Sequence, residues 1–400
     1  MSRRLAVFVV VPIAVLALIG VATLWPGGSK TIVQDPSAGF ITDDQLVEAD
    51  VISVEARPCG AEIDPTGNAI CDDVTASLVE TGKEISFSIP VSATSVAVGA
   101  GERVVLIESS FDEFGAPDYA YFDHVRRSPV YLLAAIFALV VIAFGRWKGL
   151  GALAGLAFTL VMVVWFVVPA IVDGKSPVAV AIVAAALMMI VTLYLAHGPG
   201  MQTVVALLGT LAALVLTALL SWLWIEISHI SGLATEEAVL VNLGTSGIDL
   251  VGLVLAGIII GSLGVLDDVT VTQAAAIREL RLANPDLAPR SLAARGIRIG
   301  RDHVASTVNT LVLAYVGASL PLFLLFQVGE AGFGRVVNGE LIVVEVVRAL
   351  VGSLGIVAAV PITTALAVWL MKGADANSAQ NEPPQTLVTP AARGNTEADN

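Results

Sequence analysis

The sequence predicts an α-helical polytopic membrane protein with about eight transmembrane helices and a small extracytoplasmic β-rich, OB-like domain inserted between helices one and two. The first observation is composition: 56% of the residues are hydrophobic and only 14% are charged, against about 45–50% and about 25% in soluble domains. The second is that the apolar residues form runs about as long as the roughly 20 residues that cross a bilayer. The third is an acidic, turn-rich segment between the first two runs.

Eight apolar runs are long enough, or nearly so, to predict spanning helices. They cover Leu5–Trp25, Val130–Gly145, Gly149–Val172, Pro177–Ala196, Met201–Ile225, Ile248–Leu266, Val304–Phe326 and Leu341–Met371. The second run is short, so its helix is expected to begin near Arg127. The eighth holds Glu345 and Arg348 near its start, so its first turns are expected at the interface.

The distribution of Lys and Arg predicts that both termini lie in the cytoplasm, because basic residues are enriched in cytoplasmic loops. Arg3 and Arg4 precede the first run. Alternation from there places three further basic segments inside, namely Arg146 to Lys148, the arginines of the segment 278–301, and Lys372. Arg126 and Arg127 are the exception, on the outer side.

These runs predict four segments of the chain. Residues 1–25 form an N-terminal transmembrane anchor, which is not expected to be cleaved because no A-x-A site follows it. Residues 26–128 form an acidic extracytoplasmic β domain, and residues 129–372 form a bundle of about seven helices. Residues 373–400 lack apolar periodicity, so we expect a disordered cytoplasmic tail.

The net charge of −14 is concentrated in the predicted β domain. From Pro26 to Ser128 there are 18 acidic and 6 basic residues, a balance of −12. A nucleic-acid-binding protein would instead show a basic patch, so that class is excluded. Short β-prone runs separated by Gly and Pro favour a small barrel or sandwich, and an OB-like barrel is our interpretation. These runs are Leu46–Glu55, Val74–Glu80, Glu84–Ile89 and Arg103–Glu108.

Both cysteines of the chain, Cys59 and Cys71, lie in this domain. An extracytoplasmic location permits disulfides, so we predict a bridge between them, with two free thiols as the alternative. Closing such a loop would contribute about 3 kcal/mol to stability.

Two adjacent carboxylates, Asp267 and Asp268, follow the sixth run directly. On a helix they would point about 100° apart, so they cannot both face the same partner. One interpretation is a cation or proton site at the inner end of the bundle. The other is that Asp268 caps an amphipathic stretch over residues 269–282 that runs along the inner membrane surface.

A polar stripe marks the start of the seventh run. Asp302, Ser306, Asn309 and Thr310 recur at helical spacing and therefore share one face. Such a stripe is unusual on a helix that faces only lipid, so we expect it to face the bundle, where a cluster of Asp267, Asp302 and Asn309 is geometrically possible. The alternative is interhelical hydrogen bonding, worth only about 0.6–2 kcal/mol per contact.

The eighth run contains two further polar features. Glu345 and Arg348 are three residues apart and are predicted to form an interfacial ion pair on one face. Pro361 removes a backbone donor in mid-helix. Either Thr363 and Thr364 satisfy the freed carbonyl, or a broken helix binds an ion there.

No sequence pattern points to a cofactor, and we predict none. His197 in the segment His-Gly-Pro-Gly is interpreted as a turn residue, because no second His or Cys stands at ligand spacing. The acidic segment shows no EF-hand spacing, so the question of a metal ion stays open. There is no Walker loop, G-x-S-x-G motif or other catalytic signature, and we do not expect an enzyme.

Three blocks of sequence resemble the YibE/F-like family of bacterial multi-pass membrane proteins. They are Gly261 to Thr270 with its two aspartates, Gly300 to Tyr315 with its polar stripe, and Gly352 to Thr364 with Pro361. The resemblance extends from about Ala97 to Met371. It implies a multi-pass protein of the bacterial plasma membrane with about eight helices, and it implies no substrate.

Polar residues at membrane depth favour a secondary transporter or permease-like protein of unknown substrate, coupled to protons or cations. The residues predicted for its ion or substrate path are Asp267, Asp268, Asp302, Asn309, Thr310 and Thr363. The alternative is a non-transporting membrane assembly or sensory module that acts through its outer domain. The expected partners are the lipid bilayer and a small solute or ion, with no nucleic acid. The oligomeric state is left open.

Overall fold

The computed structural model describes residues 2–27, 45–59, 70–91, 97–109, 118–244, 247–328 and 332–371. The chain divides into two compact units. One consists of Val33–Arg146, and the other of Met1–Ile32 together with Trp147–Asn400. The tail predicted to be disordered, at 373–400, lies outside the described residues, as do the segments 28–44, 60–69, 92–96 and 110–117 of the predicted outer domain.

The unit Val33–Arg146 contains an antiparallel sheet of five described strands, and we call this sheet the half-barrel. The strands are β1 Leu46–Pro58, β2 Ile70–Leu78, β3 Glu84–Pro90, β4 Arg103–Ser109 and β5 Asp118–His124. Their order is β3-β2-β1-β4-β5, because the long first strand pairs with both β2 and β4. The two edge strands, β3 and β5, curl toward each other, which makes the sheet a half-barrel. The four predicted runs fall in β1 to β4, and β5 was not predicted.

Alternation of side chains gives the half-barrel its core. Along β3, Ile85, Phe87 and Ile89 are buried while the residues between them are exposed, which is the period of two of a sheet with one face in water. These side chains meet others from β1, β2 and β4, such as Leu106, which is fully buried. Burying one such side chain contributes about 1.5–3 kcal/mol, so the apolar face drives the folding of this unit.

A disulfide joins the end of β1 to the start of β2. The sulfur atoms of Cys59 and Cys71 are bonded, with their Cα atoms 4.9 Å apart, and both side chains are buried. The predicted bridge is therefore present in the structure. It ties together the two strands whose connection, residues 60–69, lies outside the described part of the chain.

The remaining described elements are helical. They are α1 Ser2–Leu24, α2 Arg127–Met162, a π-helical turn Val163–Val167, α3 Val168–Val172, α4 Pro177–His197, α5 Met201–Ile227, α6 Glu236–Gly244, α7 Leu250–Ala283, α8 Pro289–Ala318, α9 Leu320–Val328, α10 Phe333–Val337 and α11 Glu340–Leu370. Ser176 and Asp249 start α4 and α7 as N-caps, because their side-chain oxygens accept hydrogen bonds from free N–H groups of the first turn.

Five of the described helical segments are long and apolar enough to cross a membrane, and a bent pair raises the number to six. The bent pair is α8 with α9, which turns by 51°. Pro321 explains this break, because its ring clashes with the carbonyl one turn earlier and it lacks the N–H that would continue α8. The apolar part of α1 that is described in full, Phe8–Leu24, is shorter than the others. The eight predicted spans are thus shown only in part.

The second and third predicted spans lie in one long helical segment, Arg127–Val172, without a loop between them. Arg146 interrupts it with φ of 51° and ψ of −127°, a left-handed conformation that is uncommon for a residue with a side chain. The same residue ends the unit that contains the half-barrel. The predicted boundary between these two runs, at Arg146 to Lys148, therefore coincides with a break in the helix.

Helix α7 does not end at the paired aspartates. It runs without interruption from Leu250 to Ala283, and its cap is Asp249. The interpretation of Asp268 as the cap of a separate surface helix is therefore wrong. The physical reason is that no proline stands between residues 250 and 283. Isolated glycines lower the stability of a helix only slightly and do not end a helix that packs on its neighbours.

The helical unit packs α5, α7 and α11 against one another, with α4 and α8 alongside. Glycines permit the closest approaches. A Cβ at Gly209 would overlap the Thr363 hydroxyl, and one at Gly355 would overlap the Thr217 hydroxyl. Small residues at such crossings let helices pack closely in lipid, where the hydrophobic effect does not hold them together.

Candidate functional site

The two aspartates lie in the interior of α7, and the structure separates their environments. Asp268 is exposed, whereas Asp267 is half-buried. The Oδ1 atom of Asp267 is buried and finds no hydrogen-bond partner in the described part of the chain. Adjacent positions on a helix differ in this way because their side chains point about 100° apart. Only Asp267 therefore has the environment expected of an intramembrane functional carboxylate.

Nearly two turns further on, Gln273 connects three helices. Its buried Nε2 donates to the carbonyl of Gly296 in α8, at 2.9 Å, and to the hydroxyl of Thr364 in α11, at 2.7 Å. Two glycines of α8 make room for this amide, because a Cβ at Gly300 would stand 2.7 Å from its Oε1 atom. A Cβ at Gly296 would overlap the side chain of Ile277. The Gly296–Gly300 pair therefore determines which face of α8 meets the bundle.

A second polar contact joins α5 to α7. The hydroxyl oxygens of Thr210 and Thr270 are 2.6 Å apart, and both residues are fully buried. The Thr270 hydroxyl oxygen is also 3.1 Å from the backbone carbonyl oxygen of Asp267. The carboxylate position is therefore linked through Thr270 to the interior of the bundle.

A buried line of hydroxyls runs along α5. Thr203, Thr210, Thr217 and Ser221 share one face and are almost completely buried. From the first to the last the helix rises about 27 Å, close to the thickness of the hydrocarbon core. The hydroxyls of Thr210 and Thr217 donate to carbonyls of the preceding turn, and that of Thr203 donates to the carbonyl of Gly198, which precedes the helix. The Ser221 hydroxyl has no hydrogen-bond partner in the described chain.

Thr363 of α11, predicted to line the path, is also fully buried, and its hydroxyl has no hydrogen-bond partner among the described residues. It lies against Gly209 of α5. Helix α11 continues through Pro361 to Leu370, so the alternative of a broken helix that binds an ion is wrong. An unsatisfied buried hydroxyl costs about 1–3 kcal/mol, which makes Thr363 and Ser221 positions where a bound solute or water would be stabilising.

The polar stripe of α8 is placed differently from expectation. Asp302, Ser306, Asn309 and Thr310 are all exposed. The expectation that this stripe faces the bundle is therefore wrong for the described structure, and the cluster of Asp302 and Asn309 with Asp267 does not form. The physical reason is that close packing at Gly296 and Gly300 turns the opposite face of α8 inward.

The inward face of α8 carries His303 instead. This residue is half-buried, and its Nε2 atom is buried with no hydrogen-bond partner in the described chain. Two contacts place it relative to α7: Gln273 lies beside Gly300, and further along both Ser262 and Leu311 lie beside Gly352. Between these two contacts the helices run antiparallel, so Asp267 is within about one turn of the level of His303.

The other sequence predictions have simple outcomes. His197 is exposed and ends α4, and the N–H of Gly198 after it closes the last turn on the carbonyl of Tyr194. Among the described residues, no group of three or more His, Cys, Asp or Glu side chains is arranged to hold a metal ion. The site is therefore built from one carboxylate, one imidazole, one amide and several hydroxyls.

A model of the YibE/F-like protein family matches residues 133–373. The chain belongs to the YibE/F-like family. This confirms the resemblance seen in the three sequence blocks. No curated protein and no solved structure matches the chain.

In this YibE/F-like protein, the matched region begins inside α2 and includes every residue of the site described above. It does not include α1 or the half-barrel. Membership and the apolar helices together identify a membrane protein.

Several residues of the site were missed in the sequence. Gln273, Thr210 and Thr270 carry the contacts between helices, and His303 has a buried ring nitrogen that finds no hydrogen-bond partner in the described chain. Gln273 offered a signal, because an amide among Ala and Val in a long helix is costly in lipid unless it is bonded. The threonines offered none, since hydroxyls that bond to their own helix are common in any span.

Proposed function

We propose that this protein is a permease-like transporter of a small solute or ion in the bacterial plasma membrane, with Asp267 as the group that couples transport to protons or cations. The observation that carries the proposal is the Asp267 carboxylate, which lies in the interior of a helix long enough to span the membrane and has a buried oxygen without a hydrogen-bond partner in the described chain. A charged side chain at membrane depth costs about 2.5–3.5 kcal/mol, so it is a functional group by default.

The path that we propose follows the buried polar groups between α5, α7 and α11. Thr363 stays in it from the sequence prediction, and Thr210, Thr270 and Gln273 join it. The exposed residues Asp268, Asp302, Asn309 and Thr310 form no part of this interior path. Their contribution would require a further protein surface against α7 and α8.

We also propose eight membrane crossings with both termini in the cytoplasm and the half-barrel outside. The segment Arg127–Val172 rises about 69 Å, more than twice the roughly 30 Å of hydrocarbon, and its break at Arg146 supports two crossings. Helix α1 and the bent pair of α8 and α9 add two more to the four long helices α4, α5, α7 and α11.

The test compares two neighbouring aspartates in reconstituted vesicles. Wild type, Asp267→Asn and Asp268→Asn are assayed for solute-driven proton or sodium flux against a panel of amino acids, organic acids and metal cations. We expect Asp267→Asn to lose flux by about tenfold or more, whereas Asp268→Asn, on the exposed face of the same helix, keeps it. Thermal unfolding of each variant monitors the fold.

Two results would overturn the proposal. One is equal flux in wild type and Asp267→Asn. The other is no flux of any solute with wild-type protein that is folded and correctly inserted.

A second candidate function, a non-transporting assembly or sensory module, is favoured by a groove on the half-barrel. It has a volume of about 260 Å³ and is lined by the polar side chains of Glu55, Arg57, Asp73, Ser86 and Ser88. A groove of this kind suits a polar partner. Under this proposal, deletion of residues 30–128 removes the cellular phenotype and Asp267→Asn does not. We propose no enzymatic activity for either unit.

A further inference from the structure

A charged pair lies near the start of α11, away from the Asp267 site. Nη1 of Arg348 donates to Oε1 of Glu345 at 2.8 Å, and both side chains are between one quarter and one third exposed. The Nε atom of Arg348 is buried and has no hydrogen-bond partner in the described chain. The guanidinium therefore has an unused donor beside its ion pair. The sequence pattern alone indicated only an interfacial pair.

A cavity of about 370 Å³ opens beside this pair, between α7, α8, α11 and the segment that leads into α6. This volume lies in the range of small-molecule sites. Its lining combines aliphatic side chains with the charged pair and two hydroxyl groups. The aliphatic residues include Leu250, Leu253, Val254 and Leu322, and the hydroxyl groups are those of Thr235 and Ser319.

The wall of this cavity is held in place before any ligand arrives. The Glu340 carboxylate accepts hydrogen bonds from the N–H groups of Ser231 and Gly232, at 2.9 and 2.8 Å, and from the Ser231 hydroxyl. Gly232 has φ of 80° and packs against the backbone of Leu250, where a Cβ would overlap. Preorganised walls reduce the entropy that binding costs.

The charges of the lining restrict what can bind. Among the described residues that line the cavity, Glu345 and Arg348 are the two charged side chains, so the net charge of this described lining is zero. A purely anionic or cationic ligand would leave one partner of the pair with an uncompensated, partly buried charge, which is strongly unfavourable. A ligand with one group of each sign pairs with both charged side chains, and the aliphatic residues of the lining favour a ligand that carries an apolar side chain.

We infer that this cavity binds a small zwitterion with an aliphatic side chain, such as a branched α-amino acid. The guanidinium of Arg348 donates to the ligand carboxylate, the Glu345 carboxylate accepts from the ligand ammonium, and the side chain lies against Leu253 and Val254. The inference concerns binding alone. It does not rest on the proposed transport, because the cavity and the Asp267 site share no residue.

The test uses full-length protein in lipid nanodiscs, with L-leucine as the probe and calorimetry as the readout. The matched ligands are 4-methylpentanoate, which lacks the amine, and 3-methylbutylamine, which lacks the carboxylate. We expect saturable binding of leucine and about tenfold or weaker binding of both analogues. Absence of leucine binding, or equal binding of either analogue, would overturn the inference without any substitution in the protein.

Variants locate the site. Arg348→Lys keeps the charge but loses the planar donor edge, and Val254→Trp fills the cavity while both members of the charged pair stay in the sequence, so both variants are expected to weaken leucine binding about tenfold or more. Arg335→Lys, at an exposed position of α10, is the control and is expected to bind like wild type. If Val254→Trp folds and binds leucine normally, the ligand sits elsewhere and the inference is wrong.

Discussion

The half-barrel and the helical bundle sort their side chains in opposite ways. In the half-barrel the described buried residues are apolar, and the charged residues lie on the surface. In the bundle, by contrast, all ten buried polar side chains of the described chain are found, while Trp165 and Trp222 are 69% and 58% exposed. The same chain therefore follows two different rules of burial.

The difference follows from the two solvents. In water, removal of apolar surface drives folding, so the half-barrel buries its Ile, Val and Phe residues. Lipid is as apolar as those side chains, so helices associate through close packing and hydrogen bonds instead. Exposed large apolar residues on the bundle are thus expected of its lipid-facing surface, and its buried hydroxyls and amide are the contacts that specify how the helices pair.

The largest expected effect contrasts two leucines. Leu106→Ala in β4 removes a fully buried side chain and should lower the free energy of unfolding of the half-barrel by about 2–5 kcal/mol. Leu160→Ala in α2, at a position 59% exposed, should change bundle stability by about 0.5 kcal/mol or less. Hydrogen exchange of the full chain in nanodiscs measures both. Comparable losses at the two positions would mean that the exposed apolar surface is not lipid-facing.

A smaller effect contrasts two glycines of neighbouring helices. A Cβ at Gly300 would meet Val360 and stand 2.7 Å from Oε1 of Gln273, so Gly300→Ala should destabilise the bundle by about 1–3 kcal/mol. At Gly264 nothing lies within 4 Å, so Gly264→Ala should be neutral or stabilise α7 by about 0.5–1 kcal/mol. Thermal unfolding in nanodiscs compares them. If the two variants melted alike, α8 would not pack on Gln273 as described.

The smallest effect concerns the surface charges of the half-barrel. The N–H of Gly99 and the His124 side chain hold the pKa of Glu102 below its ordinary value, and hydrogen bonding to Arg103 does the same for the pKa of Asp50. A carboxyl whose folded pKa is lowered stabilises the fold above its unfolded pKa of about 4, and that contribution is lost as the pH falls through the folded pKa. We therefore expect the half-barrel to lose stability slightly below about pH 4.

Amide hydrogen exchange, corrected for the intrinsic exchange rate at each pH, measures this pH dependence of the stability of the half-barrel. Arg103→Gln should make it shallower, because Asp50 then titrates nearer its ordinary pKa. Lys83→Gln removes the same charge from an exposed turn and should leave the dependence unchanged. Exposed pairs are screened by solvent, so a large effect of Arg103→Gln would show that the pair is more protected than its surface position indicates.

Much of the fold could be predicted because it depends on local pattern. A run of about 20 apolar residues predicts a membrane span without any knowledge of the tertiary contacts that the helix makes. Alternation predicted four of the five strands, and β5 was missed because Asp118–His124 is rich in acidic and aromatic residues without clear alternation. Most of the partners within the site could not be predicted, since Gln273 and Thr364 are far apart in sequence.

The sequence by itself was enough to predict a membrane protein with an acidic β-rich segment, a bridged pair of cysteines and polar residues within its apolar helices. Only the tertiary structure decided which of those polar residues lie inside. Helical periodicity shows that Asp302, Ser306 and Asn309 share a face, but it does not show what that face meets. Close packing at Gly296 and Gly300 determines which face of α8 packs on the bundle, because helices in lipid approach most closely where side chains are smallest.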